Sequence, residues 1–399
     1  MKIVIGHDAF YPNVDGASYF TQRLALYLKK AGHDIFIIAN SQTTSSHNDV
    51  YYGIPMLRVG SSPIFVNDYR LYIPTPFKTA KIKKVIKQFG PDMVHIQGNF
   101  PLDQAIFEAA RDLALPVVAT NHCMPQNMTH YLPLPSGGKK LADKVVYYSM
   151  KKFYMKCDRL TTPTVTARDY LYHTGVTKEV TPISCGVDLE IFNARAEHAD
   201  LKKKYALPAG KNILFVGRLD REKKVEVLIR AMELIVKAVP ETNLILVGKG
   251  EEREDWEKLA AELGLSERII FTGFVPDEDL PGIYALADCF AIACPLELQS
   301  IVTMQALAMG LPVVAVREMA LPELVRHGEN GYLFANGDYR AAAKFLVRLL
   351  EDDKQRLMMA EKSLEIIKPH DINNTIRQFE KVYEEAIEIN KKKAAEVAG

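Results

Sequence analysis

Apolar residues fall into two kinds of run along this chain, and the two kinds alternate. Short unbroken stretches at Lys2–Gly6, Asp34–Ala39, Met93–Ile96 and Val117–Thr120 have the length and composition of buried strands. Between them apolar residues recur at helical spacing. Phe20, Leu24, Leu26 and Leu28 mark a helix over Ser18–Ala31, and similar patterns cover Phe77–Phe89 and Leu102–Leu113. Leu160–Thr164, Thr166–Thr174 and Val180–Ile183 continue the alternation. A second series opens at Asn212–Val216 and runs through Val225–Ala238, Leu244–Val247, Glu251–Leu263, Ile269–Thr272 and Asp279–Leu286. It closes with Leu321–His327, a turn at Gly328–Gly331 and a helix from Tyr339 to about Glu351. Strand–helix alternation of this kind predicts two Rossmann-like, doubly wound α/β halves facing across a cleft.

One stretch of the second series carries more chemistry than the rest. The apolar run Cys289–Ala293 leads into a polar segment holding Glu297, Gln299 and Ser300. The helix-length run Ile301–Met309 follows, Gly310-Leu-Pro312 stops it, and Val313–Val316 is the next strand. That order puts the loop at the carboxyl edge of a parallel sheet, where open α/β proteins bind ligands, with free N–H groups at the helix start. The same order also describes an ordinary crossover with one exposed acid.

At 399 residues the chain is too long for one ordinary core. The expected division is 1–187, 188–371 and a final Glu- and Lys-rich helical segment, 372–399, that either crosses back to the first half or lies in solvent. The hinge falls near Gly186–Pro208, a polar stretch. A net charge of +1 gives no reason to expect a nucleic-acid partner, but it hides a split. Residues 1–185 carry 21 Lys and Arg against 13 acids, whereas the remainder carries 29 against 36. The five cysteines form no CxxC pair and no zinc spacing, and read as reduced thiols of a cytosolic protein. No signal-peptide pattern opens the chain, and no apolar run approaches the ~20 residues of a membrane span.

Several residues are candidates on local grounds. Arg218 and Lys223 follow a strand near a helix start, where they can hold phosphate oxygens or pair with Asp220 and Glu222. Gly16 precedes a helix and either lets backbone N–H groups approach a phosphate or turns the chain. The Gly248-Lys249-Gly250 turn is weak evidence by itself, and Gly16 lacks the companions of a dinucleotide fingerprint. His122 follows a strand, in place for a hydrogen-bonding or acid–base role, whereas His95 lies inside a strand pattern and reads as core. Lys139–Lys156 interleaves lysines with Val145, Tyr147, Tyr148, Phe153 and Tyr154, and Lys78–Lys87 is a second basic run. Such a segment suits an anionic membrane surface, or a buried helix with a solvated lysine face.

Taken in order, these segments resemble the retaining, GT-B-fold, nucleotide-sugar-dependent glycosyltransferases of the group 1 family. The resemblance spans nearly the whole chain. It rests on YPNVDGAS (11–18), Thr120-Asn121-His122, Pro182–Asp188, GRLDREKK (217–224), GKGEE (248–252), FTGFVP (271–276), IYALAD (283–288), the Cys294–Ala315 stretch and GENGYLF (328–334). It implies that Glu297 is the first acid of the family's paired-acid signature and contacts the transferred sugar. Gln305 stands where the second acid, which holds the ribose, is usual; a neutral amide still hydrogen-bonds a diol. It further implies that Arg218 and Lys223 hold the diphosphate in place of a metal. Gly16 and the backbone around Gln299, Ser300 and Ile301 would contact phosphate and sugar, and His122 would orient the donor sugar. Phe274 and Val275, within Gly273–Pro276, fall where the base is recognised. Two other departures are Lys224, where Gly or Asn is common, and Cys185, where Asn often stands.

The ELQS wording and the TNHCMPQN loop look most like enzymes that glycosylate lipids, such as diacylglycerol glucosyltransferases and phosphatidylinositol mannosyltransferases. The expectation is therefore a retaining, metal-independent hexosyltransferase with no cofactor, using UDP-glucose or a related donor. Its acceptor would be a membrane lipid such as diacylglycerol, met at the inner face of the cell membrane by peripheral contact through Lys139–Lys156. Transfer to a soluble sugar or polyol is the first rival. A non-catalytic nucleotide-sugar-binding protein, suggested by Gln305, is the second, and a nucleotide-sugar epimerase shares the architecture.

Overall fold

The structure is a computed structural model that describes residues 1–13, 15–64, 70–124, 136–193 and 200–398. Val14, the Pro125-Gln126-Asn127 part of the TNHCMPQN loop and the 194–199 part of the expected hinge lie outside the described residues. The chain divides into two compact units, 1–185 with 373–399, and 186–372.

In the first unit, β1 (Lys2–His7), β2 (Asp34–Asn40), β3 (His47–Tyr51) and β4 (Ile54–Val59) precede a small pair, β5 (Ser62–Pro63) and β6 (Arg70–Leu71). The unit continues with β7 (Met93–Ile96), β8 (Val117–Thr120), β9 (Arg159–Thr162) and β10 (Val180–Pro182). Eight strands form one sheet in the order β10-β9-β8-β7-β1-β2-β4-β3. All its pairs are parallel except the hairpin β3–β4, the antiparallel edge. The central strands are apolar on both faces because helices cover both, the usual condition of a parallel sheet. The close cover shows at Gly6, where an added Cβ would come within 2.6 Å of Ile106 on the helix Pro101–Asp112.

Local chemistry sets the helix ends. Asp15 caps the helix Gly16–Lys30 by accepting from Ser18 N–H, and Thr75 caps Pro76–Phe89, which Gly90 ends in a left-handed conformation at φ 62°. The last helix, Ile372–Ala398, belongs to the first unit beyond its first residue and buries Phe379, Tyr383 and Ala386 there. His33 Nε2 lies 2.8 Å from Glu380, Arg159 2.6 Å from Glu385 and Lys393 2.7 Å from the buried Asp158.

The second unit holds β11 (Lys211–Val216), β12 (Thr242–Val247), β13 (Ile269–Gly273), β14 (Cys289–Ile292), β15 (Val313–Val316) and β16 (Gly331–Phe334). They form a six-stranded sheet, parallel throughout, in the order β13-β12-β11-β14-β15-β16. Counted within the unit this is the 3-2-1-4-5-6 order of a doubly wound sheet, and its direction reverses between β11 and β14. The helix Val225–Ala238 buries Leu228, Ile229, Met232 and Ile235 beside the sheet and packs against Tyr339–Glu351. Cys123, Cys157, Cys185, Cys289 and Cys294 are thiols, none of them in a disulfide among the described residues.

Candidate functional site

An open α/β sheet binds ligands where its strand order reverses, because the loops leaving the two strands part there and leave a crevice. In the second unit those loops carry Arg218 and Lys223 after β11 and Glu297 after β14. Lys223 Nζ lies 2.7 Å from Glu297 Oε1 and 3.9 Å from Glu222. Burial alone would lower the pKa of the Lys223 ammonium. The Cys294 sulfur, 3.7 Å away, and the carboxylates of Glu297 and Glu222 outweigh it and raise the pKa above its ordinary value. Burial pushes the Cys294 thiol up to about 12, so at neutral pH it is uncharged and the carboxylates carry the effect. Arg218 pairs with Asp220 and, at 2.8 Å, with Glu222. Both cations are thus positioned by acids of the same loops, and an arriving anion would compete with those acids.

The glycine turns have a structural task. A Cβ on Gly248 would lie 1.9 Å from Gly217 O, and one on Gly250 2.3 Å from the Leu219 backbone. Only bare backbone permits this approach, and Leu219 N–H donates to Lys249 O across it. The Gly248–Gly250 turn therefore braces the loop that carries Arg218. Lys224, the departure from the family pattern noted above, sits at φ 50°, a left-handed conformation that Gly or Asn adopts at less cost.

Beside Glu297 the helix Ile301–Ala308 begins, capped by Ser300, whose Oγ accepts from Thr303 N–H and lies 2.8 Å from Thr303 Oγ1. Its first N–H groups are those a helix leaves unsatisfied, at its positive dipole end. Gln299 immediately precedes that cap. Gln305, on the same helix, is buried, and the Tyr284 hydroxyl lies 3.1 Å from its Oε1 and 3.0 Å from Val302 O. Phe274 is exposed and Val275 buried just after β13, at the same carboxyl edge.

Gly16 and His122 belong to the first unit. Gly16 is the first residue of its helix, and a Cβ there would meet nothing within 4 Å among the described residues. His122 packs its ring 4.9 Å from Phe20, and its Nε2 lies 2.9 Å from Gln97 Oε1. Burial, then the nearby His7, lowers its pKa to about 3, so the imidazole is neutral. His95 is fully buried in β7, as its pattern suggested, and burial followed by the influence of His122 lowers it to about 3 as well. His7 is held at about 3 by burial, with no hydrogen-bond partner among the described residues at either ring nitrogen. Asp8, half-buried just past the end of β1, and the buried Asp103 make a carboxyl pair. Burial lifts Asp8 to about 6, and burial plus the Asp8 charge raises Asp103 well above the ordinary carboxyl range.

Sequence reading missed Gln97, Tyr284 and Tyr383 as parts of these sites. Gln97 and His95 carried a signal, one polar residue inside an apolar strand and another just past its end, but a tyrosine in a helical pattern is indistinguishable from core. Among the described residues no group of three or more His, Cys, Asp or Glu side chains is placed to hold a metal ion.

The Lys139–Lys156 segment is mostly the helix Ser136–Tyr154. Met150, Phe153 and Tyr154 are buried, while Leu141, Val145 and Tyr148 form an exposed apolar stripe flanked by the exposed Lys140, Lys144, Lys151 and Lys152. No helix among the described residues is long and apolar enough to cross a membrane.

Comparison with known proteins matches residues 14–191 to the model for Glycosyltransferase Family 4 and residues 198–365 to that for Glycosyl transferases group 1. The chain is 27% identical over 372 residues to an alpha-monoglucosyldiacylglycerol synthase of Streptococcus pneumoniae, covering 92% of this chain and 82% of that protein. It is 26% identical to a GDP-mannose-dependent alpha-mannosyltransferase of Corynebacterium glutamicum, covering 92% and 85%. Among solved structures, sucrose-phosphate synthase from Thermosynechococcus elongatus superposes with a TM-score of 0.81 at 21% identity, covering 96% of this chain and 98% of the other. The sheet orders, the two matched models and the structural likeness agree: the chain is a glycosyltransferase of the group 1 family with a GT-B fold.

Proposed function

We propose that the protein transfers a hexose from a nucleotide diphosphate sugar, UDP-glucose being the favoured donor, to a membrane lipid such as diacylglycerol, with retention at the anomeric carbon. The observation that carries the donor side is the Lys223–Glu297 contact at the switch point, with Arg218 on the same loop. Departure of a nucleoside diphosphate builds negative charge on its oxygens. Fixed cations and the N–H groups opening the helix Ile301–Ala308 meet that charge without reorganising. In this reading Arg218 and Lys223 do the work a metal ion does elsewhere. The diphosphate takes Arg218 from Glu222 as it binds. Glu297 orients Lys223 and accepts from hydroxyls of the transferred sugar. Gln299, Ser300 and Ile301 offer backbone N–H groups, and Gly16 leaves open space where the phosphates can approach the first helix. The Gln305 carboxamide, its oxygen held by Tyr284, presents its N–H2 to the ribose, and Phe274 and Val275 flank the base. His122, neutral, accepts a hydrogen bond from the sugar.

The acceptor side draws on the relative that makes a glucosyl diacylglycerol and on the Leu141–Val145–Tyr148 stripe with its flanking lysines. Four lysines beside an apolar stripe suit peripheral attachment to an anionic leaflet, at about 1 kcal/mol for each lysine near the surface. Thermal shift with UDP-, GDP- and ADP-sugars tests the donor, since a ligand of the folded state raises apparent stability. The expected ranking puts UDP-glucose first. A larger shift with GDP-mannose would move the reading to a mannosyltransferase, and no shift with any would remove it.

A further inference from the structure

The carboxamide of Gln97, just past the end of β7, joins two histidines. Its oxygen lies 2.9 Å from His122 Nε2, and its nitrogen lies 3.1 Å from both ring nitrogens of His95. His95 in turn has Nδ1 2.8 Å from the Tyr383 hydroxyl and Nε2 2.7 Å from Thr120 Oγ1, which is 2.6 Å from Thr161 Oγ1. Gln97, His95, Thr120, Thr161 and Tyr383 are all buried. Tyr383 comes from the last helix, 288 positions further along the chain.

A direction of donation that starts at Tyr383 gives each of these atoms a partner. In that direction the Tyr383 phenol, which burial holds well above its ordinary pKa, donates to His95 Nδ1. His95 then carries its hydrogen on Nε2 and donates to Thr120, which donates to Thr161. With both in-plane positions of His95 filled, the Gln97 amide turns N–H2 toward that ring and oxygen toward His122. An amide oxygen only accepts, so the facing His122 nitrogen must carry the hydrogen. His122 is thereby fixed as the Nε2–H tautomer, with the Nδ1 lone pair as its remaining hydrogen-bonding capacity. The titratable groups that bear on it from neighbouring strands, His7 and His95, are themselves neutral.

We propose that Tyr383, His95 and Gln97 form a positioning relay that holds His122 as the Nε2–H tautomer, so that Nδ1 accepts a hydroxyl hydrogen of the donor sugar. The inference rests on the reading of His122 given above. It makes the last helix a working part of the site, because Tyr383 sets the state of the first histidine in the line.

The test is long-range proton–nitrogen correlation of the imidazole rings in the full-length, histidine-labelled protein at neutral pH. The expected wild-type spectrum shows His122 and His95 both neutral and both protonated on Nε2. Gln97→Leu should release His122 to a tautomer mixture and lower kcat/KM roughly tenfold, the size of one lost neutral hydrogen bond. Tyr383→Phe should shift His95 toward Nδ1–H. Gln97→Glu puts a carboxylate against Nε2, so His122 should titrate at higher pH and the acid limb of the kcat/KM profile should move up. An Nδ1–H His122 in the wild type, or an unchanged His122 spectrum in both Gln97 variants, would overturn the relay. The expected spectra together with no transfer from any nucleotide sugar would leave the relay standing and remove the function instead.

Discussion

Lys223 Nζ lies 2.7 Å from Glu297 Oε1, and this contact joins the loop after β11 to the loop after β14 at the point where the strand order of the second sheet reverses. A lysine held there by a carboxylate is pre-positioned for an anion. Removing either partner should therefore cost more in turnover than in stability. Lys223→Ala is expected to lower kcat by about 10²–10³, the range for one preorganised charge-stabilising donor. Glu297→Gln should lower it too, and the double variant should lose much less than the product of the two, since the residues act as a unit. Steady-state kinetics of the three variants check this, and independent effects would contradict it.

Gln305 is the residue that departs most from the family's paired acids, and its oxygen is engaged by Tyr284 at 3.1 Å. If the free N–H2 meets the ribose, Gln305→Leu should raise the donor KM by roughly tenfold with kcat little changed, the signature of uniform binding. Tyr284→Phe should do the same more weakly. Equal loss in kcat and kcat/KM would place Gln305 in the chemistry instead.

Much of this was legible from pattern alone. Strand and helix alternation marked most of both sheets, because buried parallel strands are short apolar runs and their helices are amphipathic. The β3–β4 hairpin and the helix Asp353–Ile367 were not marked. His47–Tyr51 is an edge strand with mostly exposed side chains, and Asp353–Ile367 buries only scattered residues, so neither has the apolar signal of its neighbours. At the site, Arg218, Lys223 and Glu297 were legible as a set through their order along the chain. Pairing of Arg218 and Lys223 with Asp220 and Glu222 was one of the two readings open from the sequence, and the structure shows it. That Lys223 also reaches Glu297 is a matter of side-chain direction, which spacing does not encode. Tyr284 and Tyr383 reach Gln305 and His95 from 21 and 288 positions away, and no local pattern links such pairs.

Acid should destabilise the protein well above the ordinary carboxyl range. His7, His95 and His122 each fall from 6.5 to about 3 on folding. Between those values the unfolded chain binds protons that the folded one refuses, so stability is lost as pH falls, by at most about 1.4 kcal/mol per pH unit for each histidine. Asp8, raised to about 6, and Asp103, raised further, act oppositely, because the folded state keeps their protons after the unfolded state releases them near pH 4. Three histidines against two carboxyls leave a net fall in stability between pH 6 and 4, steepening below about pH 4. Thermal unfolding from pH 7 to 3.5 checks this; a flat midpoint would contradict it.

Lys224 carries a strain that a substitution can remove. At φ 50° a lysine meets a steric cost that asparagine largely escapes, and its Nζ makes an exposed hydrogen bond to Asn336, 2.9 Å long. Lys224→Asn should stabilise the protein by about 0.5–1 kcal/mol without loss of activity. Denaturant unfolding gives the number, and destabilisation would show that the Asn336 contact matters more than the backbone.

On the proposed reading, membrane contact should be separable from catalysis. Lys151→Ala with Lys152→Ala should weaken binding to anionic vesicles roughly thirtyfold, at about 1 kcal/mol for each lysine, and the effect should shrink with added salt. Donor binding should be unchanged. Co-sedimentation with vesicles of graded anionic content measures it, and equal binding by the variant would remove this face from the account.

The most direct measurement supplies UDP-glucose and diacylglycerol in anionic vesicles to the full chain and reads the anomeric configuration of the glycolipid by proton coupling. The account predicts an α-linked glucosyl lipid from the wild type and none from Glu297→Ala. A β-linked product, or transfer that Glu297→Ala leaves intact, would contradict it.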